Sequence, residues 1–310
     1  MTDEKPKNDQ EKDKRHVTEW SFDFSDLGDK ISEFVSGLGI KGEEQIKHGE
    51  FSTPIDNAQS ANVRIDLSVG EATINALTDS DNLLEADLMY VGEIKFVSSG
   101  DQEKIVSLSQ EASGAEWFRN VFGWIGSGQK LKWDIGLTPH IPLDIEVRGG
   151  VGRSTLNLGT IQPKAVRVHT GAGEVIAVLP AAANHYRAEL HGGVGRSQIT
   201  VPDNTDLELQ IHAGTGETNL EVGVGSSVQA QMRGGVGAFN LRIPADAAVR
   251  IEVRSGIGGV RAPSRFVRTS AQDEFLGKGG VWETPGFDSA EHKITIRYEM
   301  GVGGLEVTEI

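Results

Sequence analysis

The fold of this chain is decided by a glycine-rich stretch that reads Gly149-Gly150-Val151-Gly152-Arg153-Ser154-Thr155-Leu156-Asn157-Leu158. The same pattern returns at residues 192–199 and 234–241, with looser G-x-G copies between and after them. We call the second glycine of each G-x-G the anchor, which is Gly152 in the first copy. Successive anchors are 21 or 22 residues apart. A constant step of that size is typical of repeat architectures. The glycine pairs predicted to turn the chain are Gly150/Gly152, Gly171/Gly173, Gly193/Gly195, Gly214/Gly216, Gly235/Gly237 and Gly256/Gly258.

Apolar residues occupy fixed positions around each anchor. They stand seven and five residues before it and four and six residues after it, as Ile145, Val147, Leu156 and Leu158 do in the first copy. Alternation of apolar and polar residues is typical of strands with one buried face. We therefore predict a rung made of a strand, a bend at the glycines and a second strand, repeated from about residue 143 to 263. Glycine suits the bend because it reaches positive φ without a Cβ clash.

Two arrangements of such rungs are open. In a β-solenoid the rungs stack in parallel about 4.8 Å apart, whereas in a meander of hairpins neighbouring strands pair antiparallel. The uniform rung length favours the solenoid. The residue after the anchor also favours it, because Arg153, Glu174, Arg196 and Glu217 alternate in sign and would form attractive neighbours in a stack. The predicted fold class is all-β, a parallel β-solenoid of two-sheet rungs.

Composition and charge exclude several kinds of site and partner. The chain has 310 residues, 39 glycines, 6% aromatic residues and no cysteine, which excludes disulfides and thiolate metal sites. No apolar run is long enough to span a bilayer, and no secretory signal is visible, so we expect a cytoplasmic protein without a transmembrane segment. The net charge of -15 argues against a nucleic-acid partner. Residues 16–112 hold nineteen acidic and six basic residues, a net charge of -13.

The chain divides into four predicted segments. Residues 1–18 read as a disordered tail of mixed charge, and residues 19–60 as a short amphipathic helix followed by a polar linker. Residues 61–132 read as an N-terminal β module with an aromatic insertion at 116–125, either packed on the repeats or exposed as a docking patch. Residues 133–310 read as the β-solenoid repeat domain, with a C-terminal cap at 264–293.

One column of outward-facing residues is a candidate binding site. It stands four residues before each anchor and consists of Arg148, His169, His191, His212, Arg233 and Arg254. On a solenoid this column forms a ladder of cationic and imidazole side chains. It could be a solvated stacking device, a site for an anionic polymer, or a site for a divalent metal between neighbouring histidines. We favour the stacking device, keep the anionic polymer as the alternative, and predict no metal site.

The glycine runs match no cofactor motif. They lack the third glycine and the helix of a dinucleotide site, and no Gly-Lys-Ser/Thr follows them as in a P-loop. Ser154 and Ser197 stand where a calcium-binding nonapeptide would need aspartate. We predict no cofactor and no catalytic residues.

The chain resembles a known family at residues 63–74 (VRIDLSVGEATI), 133–137 (WDIGL) and 142–145 (PLDI), followed by the G-x-G strands. These stretches resemble the toast-rack family, which is related to the C-terminal domain of LiaF-type regulators of bacterial envelope stress. The resemblance covers about residues 60–310, and it implies the fold and no catalytic residues. LiaF-type proteins carry transmembrane helices ahead of this domain, and this sequence shows none.

Three functions follow from these observations. The first is a non-enzymatic interaction or assembly module with an unknown protein partner, in the envelope-stress signalling that the resemblance implies. The second is a binding module for an anionic polymer along the arginine and histidine column. The third, an enzyme acting on polysaccharides, is disfavoured because outward acids such as Glu146, Glu189 and Glu252 form no tight group.

Overall fold

The structure is a computed structural model that describes residues 46–111, 131–274 and 277–310. The predicted disordered tail, the amphipathic helix and the aromatic insertion at 116–125 lie outside these residues. The prediction of an all-β fold is confirmed, because the described residues form strands and a single 3-10 turn at Phe287–Ser289. This part of the chain contains no helix suited to crossing a membrane.

The strands of the N-terminal part are β1 (Lys47–Pro54), β2 (Ser60–Asp66), β3 (Val69–Ala76), β4 (Asn82–Tyr90), β5 (Glu93–Ser99), β6 (Glu103–Glu111) and β7 (Lys132–Leu137). The repeat region contains β8 (Leu143–Asn157), β9 (Pro163–Val178), β10 (Tyr186–His191), β11 (Val194–Val201), β12 (Asp206–Val222) and β13 (Ser227–Ile243). The chain ends with β14 (Ala248–Ile257), β15 (Val260–Arg261), β16 (Val267–Glu274), β17 (Gly277–Glu283), β18 (Lys293–Val302) and β19 (Leu305–Glu309).

Each repeat forms one rung with two arms, one before and one after the glycine pair. β8, β9, β12 and β13 run through the glycines as continuous strands, while β10 and β11 form one rung in two pieces. Neighbouring rungs pair in parallel along both arms, and anchors lie beside anchors: Gly152 beside Gly173, and Gly195 beside Gly216. The glycines thus bend a strand and do not form a separate turn.

The order of the rungs in space departs from their order in the chain at both ends. β2 and β3 together form a rung on β8, although four strands separate them from β8 in sequence. At the other end, β18 and β19 lie between β13 and the rung made of β14 and β15. The predicted ladder of six residues is therefore interrupted before its last member, because the anchor Gly303 of the C-terminal rung lies between the rungs of Gly237 and Gly258.

Antiparallel strands cover the two ends of the stack. β6 and β7 add in parallel to β2 and β3, and then β5, β4 and β1 pair antiparallel. β1 occupies residues that the sequence assigns to a linker, so that part of the 19–60 prediction is wrong. The predicted boundary between residues 132 and 133 falls inside β7. At the C-terminal end, the β16–β17 hairpin pairs antiparallel with β14, within the region predicted as a cap.

The inward faces of both arms share one hydrophobic core that extends from Ala61 to Val307. The apolar columns of the sequence supply it, since Ile145, Leu156 and their equivalents in later rungs are buried. Every rung adds a nearly identical layer, so the core continues from rung to rung. Outward-facing side chains are left on two faces that meet at the glycine bend.

Candidate functional site

The outer corner of the stack is built by the glycine pairs. The second glycine of each pair has a positive φ, for example 143° at Gly195 and 141° at Gly216, a region that favours glycine. The first glycine allows close approach of the rungs without a positive φ, because a Cβ on Gly193 would lie 1.8 Å from the carbonyl oxygen of Gly171 in the rung below. The two glycines therefore allow both the bend and the close approach of successive rungs.

The six candidate binding residues lie on the outer face of the first arm, beside this corner. Registers place Arg148 next to His169, then His191, then His212, then Arg233. The three imidazole rings stack, with centroids 4.6 Å apart between the first two and 4.5 Å apart between the last two. The structure thus brings five of the six residues into one continuous line, which we call the Arg/His row.

The sixth residue does not continue this line. Glu299 of the inserted rung lies between Arg233 and Arg254 in register. At the opposite end, Asp66 of β2 lies beside Arg148. The row therefore ends in a carboxylate on each side, which sequence reasoning missed. Both acids stand four residues before a further anchor, Gly70 and Gly303, so the same column rule could have found them.

Carboxylates engage the arginines of the row. Arg148 contacts Glu146 with an Nη2–Oε1 distance of 2.6 Å, and Arg233 contacts Glu299 with an Nε–Oε2 distance of 3.2 Å. Exposed pairs of this kind contribute little stability, but they offset the positive charge that an anionic ligand would meet. The central part of the row is the three half-buried histidines.

The electrostatic surroundings oppose a charge on the last histidine. Partial burial lowers the pKa of His212, and the neighbouring His191 and Arg233 lower it further, while Glu189 acts in the opposite direction. The imidazole of His212 is therefore neutral near pH 7, since its pKa lies below the ordinary value of about 6.5.

The histidine stack has poor geometry for a metal ion. Zinc needs ring nitrogens about 2.0–2.1 Å away with converging lone pairs. The rings of His191 and His212 are tilted by only 4°, so their in-plane lone pairs run side by side and do not converge. In the ranges that the structure covers, no group of three or more metal-ligating side chains could hold an ion.

A line of mostly apolar side chains, half-buried at Val151 and Ala172 and exposed from Val194 onward, forms the crest of the corner. They stand between the two glycines of each rung and lie next to one another in register as Val151, Ala172, Val194, Thr215, Val236 and Val302. Val194 is 47% exposed, Val236 51% and Val302 43%. We call this line, which a threonine interrupts once, the valine ridge.

A row of alternating charge borders the ridge on the second arm. Arg153 contacts Glu174 at 2.8 Å, and Arg196 contacts Glu217 at 3.2 Å, with Glu174 also 3.9 Å from Arg196. The attractive neighbours predicted from the sequence are therefore present. Charge is balanced on this flank of the ridge as well.

A small hollow of about 20 Å³ lies beneath the corner near the N-terminal end of the stack. Backbone and small side chains line it, together with Trp133, and its only titratable residues are Glu71 and Glu174. Glu174 is already paired with Arg153.

Comparison with known proteins identifies the family. The profile described as the N-terminal domain of toast_rack, DUF2154, matches residues 40–200, which is more than half of the chain. This chain belongs to the toast-rack family. The match contains the rungs from β2–β3 to β10–β11 and thus most of the Arg/His row. A search of curated proteins finds no match.

Two solved structures are similar to this toast-rack chain at low identity. One is a candidate cell adhesion protein from Clostridium sporogenes, with 17% identity, a TM-score of 0.41, and coverage of 86% of this chain and 100% of that one. The other is a candidate adhesin from Bacteroides fragilis, with 11% identity, a TM-score of 0.37, and coverage of 87% of this chain and 100% of that one.

Proposed function

We propose that this chain is a non-enzymatic binding module whose outer corner contacts a protein partner. The observation that carries the proposal is the valine ridge. Isolated apolar residues are common on protein surfaces, whereas apolar residues grouped along one edge are typical of an interaction site. Here the line continues over six rungs, with exposed valines at Val194, Val236 and Val302.

The surroundings of the ridge suit a protein partner more than a charged polymer. The arginines on both sides are paired with carboxylates within the chain, as Arg148 is with Glu146 and Arg153 is with Glu174. A partner that covers the ridge would meet an apolar centre with a polar, charge-balanced rim, which is the usual anatomy of a protein interface. Because rungs repeat about every 4.8 Å, the surface is long and regular and suits an extended partner.

Two serine substitutions on the ridge test this proposal. The double variant Val194→Ser and Val236→Ser removes apolar surface without disturbing the core, since both side chains are exposed. Val224→Ser is the matched control, because Val224 is 56% exposed but lies in the turn between β12 and β13, away from the corner. Quantitative affinity capture should show partners that bind the native chain and the control but not the ridge variant. Equal capture by all three would refute a role for the ridge.

We propose bacterial envelope-stress signalling as the setting of this binding. The support is the sequence resemblance to LiaF-type regulators together with membership of the toast-rack family. Deletion of the gene in its native bacterium should change the response of an envelope-stress reporter to a cell-wall antibiotic. An unchanged response would refute the setting while leaving the binding module intact.

A second candidate function is the binding of an anionic polymer along the Arg/His row. The observation that favours it is the stacking of His169, His191 and His212, which places three imidazole edges in one line between Arg148 and Arg233. Protonation of these histidines in acid would give this line a positive charge, and salt would then weaken binding.

Heparin and polyphosphate binding at pH 5.5 and pH 7.5 tests this second candidate. Binding should be tighter at the lower pH and at low salt. The triple change of the three histidines to glutamine should remove the pH dependence, and Arg148→Gln with Arg233→Gln should weaken binding at both pH values. No binding of either polymer at pH 5.5 and low salt would leave the histidines as a stacking device.

A further inference from the structure

The position of the C-terminal rung is the starting point for an inference about self-association. β18 and β19 are the last strands of the chain, yet they lie inside the stack, in a slot between β13 and β14–β15. Both arms of the C-terminal rung pair with strands on two sides. The walls of the slot are thus complete rungs, and the segment that fills it comes later in the chain than either wall.

The apolar faces of the slot do not distinguish between rungs. Ile294, Ile296 and Tyr298 face the core in register with equivalent apolar residues of β13 and β14. These columns are the same as those of every other rung. Burial of apolar side chains therefore stabilises a rung in the slot whichever copy of the chain supplies it.

Charge selects the segment that enters the slot. Glu299 contacts Arg233 of β13 at 3.2 Å, and Arg297 contacts Glu252 of β14 at 3.3 Å. On the second arm, Arg261 of β15 contacts a further glutamate of the C-terminal rung at 3.5 Å. If β14 stacked directly on β13, Arg233 would instead lie beside another arginine, at Arg254. The slot is therefore specific for the charges of β18–β19.

The connection to this rung is short and exposed. The buried Phe287 anchors the chain beneath Arg250, whose guanidinium carbon lies 4.3 Å from the ring centroid. Glu291 and His292, just before β18, are exposed. Exchange of β18 and β19 would require the chain to open at these residues, which join β18 to the preceding cap of β16 and β17.

We propose that the slot accepts the C-terminal rung of a second copy of this chain, so that two copies exchange β18–β19. β18 and β19 are synthesised after β13 and β14, and until they pair, the facing edges of β13 and β14 are open. Unpaired strand edges recruit matching strands, and exchange of an identical element is a recognised route to dimers in repeat proteins. This inference does not depend on the valine ridge, so either idea can fail alone.

Disulfide trapping in the full-length chain tests the exchange, since the native sequence has no cysteine. Arg233→Cys with Glu299→Cys places two thiols on adjacent parallel strands, about 4.8 Å apart and within disulfide range. Two differently tagged versions are unfolded together, refolded under reducing conditions and then oxidised. Exchange should give covalent heterodimers whose fraction rises with concentration from about 1 to about 100 µM.

The matched control is His212→Cys with Arg233→Cys, which joins two rungs that are consecutive in the chain. It should give covalent monomers under the same conditions. If the Arg233 and Glu299 pair also gives only monomers at every concentration, the exchange is refuted. Light scattering of the reduced proteins shows separately whether either pair of changes disrupts folding.

A charge-reversed mixture provides a second readout without cysteine. Glu299→Arg and Arg233→Glu each create a like-charge contact within their own slot. Reciprocal exchange between the two variants brings opposite charges together in both slots, so co-refolding should give several-fold more heterodimer than homodimer. Equal amounts of the two dimers, or none, would contradict the charge selection.

Discussion

Substitutions at Gly192, Gly193 and Gly195 allow the effect of a positive φ to be separated from the effect of close backbone approach between rungs. Gly195 has a φ of 143°, and a Cβ there would lie 1.8 Å from the carbonyl oxygen of Gly173. Gly193 has the same close approach, 1.8 Å from the carbonyl oxygen of Gly171, without a positive φ. Gly192 has neither, since its nearest neighbour would be the carbonyl oxygen of His212 at 3.7 Å.

These distances give the expected order of destabilisation for single alanine substitutions. Gly195→Ala combines backbone strain of about 1–3 kcal/mol with the partial loss of about two inter-rung hydrogen bonds at about 1 kcal/mol each, or roughly 3–5 kcal/mol. Gly193→Ala avoids the strain, so we expect about 2 kcal/mol from the displaced rung. Gly192→Ala should change stability by about 0.5 kcal/mol or less, because the added methyl group meets its neighbours only at ordinary van der Waals distance.

Urea unfolding followed by far-UV circular dichroism measures the three values, and thermal unfolding provides a check. Gly195→Ala should lower Tm by roughly 6–20 °C, taking about 2–4 °C per kcal/mol for a large chain. The loss of stability should be largest for Gly195→Ala, smaller for Gly193→Ala and smallest for Gly192→Ala. This explanation of the corner is refuted if Gly192→Ala is as harmful as Gly195→Ala, or if Gly195→Ala is tolerated.

Three further predictions concern charges on the outer faces. The lowered pKa of His212 means that the unfolded chain binds the proton more tightly, so stability should fall as pH drops below about 6.5. His212→Gln should reduce that fall between pH 7 and pH 5 in urea titrations, and an unchanged profile would contradict the assignment. Glu299→Arg should lower the free energy of unfolding by about 1 kcal/mol more than Glu299→Gln, because it adds repulsion with Arg233; equal losses would exclude that contact. Arg196→Gln should cost less than about 1 kcal/mol at low salt and almost nothing in 1 M NaCl, since its ion pairs are exposed, and a larger, salt-independent loss would indicate a packing role.

Part of the candidate site follows from sequence periodicity. The column four residues before the anchor predicts the line of Arg148, His169, His191, His212 and Arg233, because residues at equal positions in a parallel stack become neighbours. The stacking of the rings and the neutralisation of the arginines do not follow from it. They depend on side-chain conformations and on Asp66 and Glu299, which come from strands distant in the sequence.

Local periodicity by itself determined the composition of each rung. Alternating apolar residues and a glycine pair specify two arms with inward faces and a bend between them, and those are properties of about twenty consecutive residues. The parallel neighbours inside the repeat region also follow, since short connections leave each rung close to the next. All-β architecture was therefore predictable from residues 143–243 alone.

Only the tertiary structure decided which rungs are neighbours at the two ends. The apolar columns of β2–β3, β14–β15 and β18–β19 are nearly the same, so hydrophobic burial cannot rank their places in the stack. In the order that the structure shows at the C-terminal end, Glu299 separates Arg233 from Arg254 and replaces a repulsive contact with an attractive one. A pattern that repeats is sufficient to define a rung, but a difference between rungs is needed to define its position.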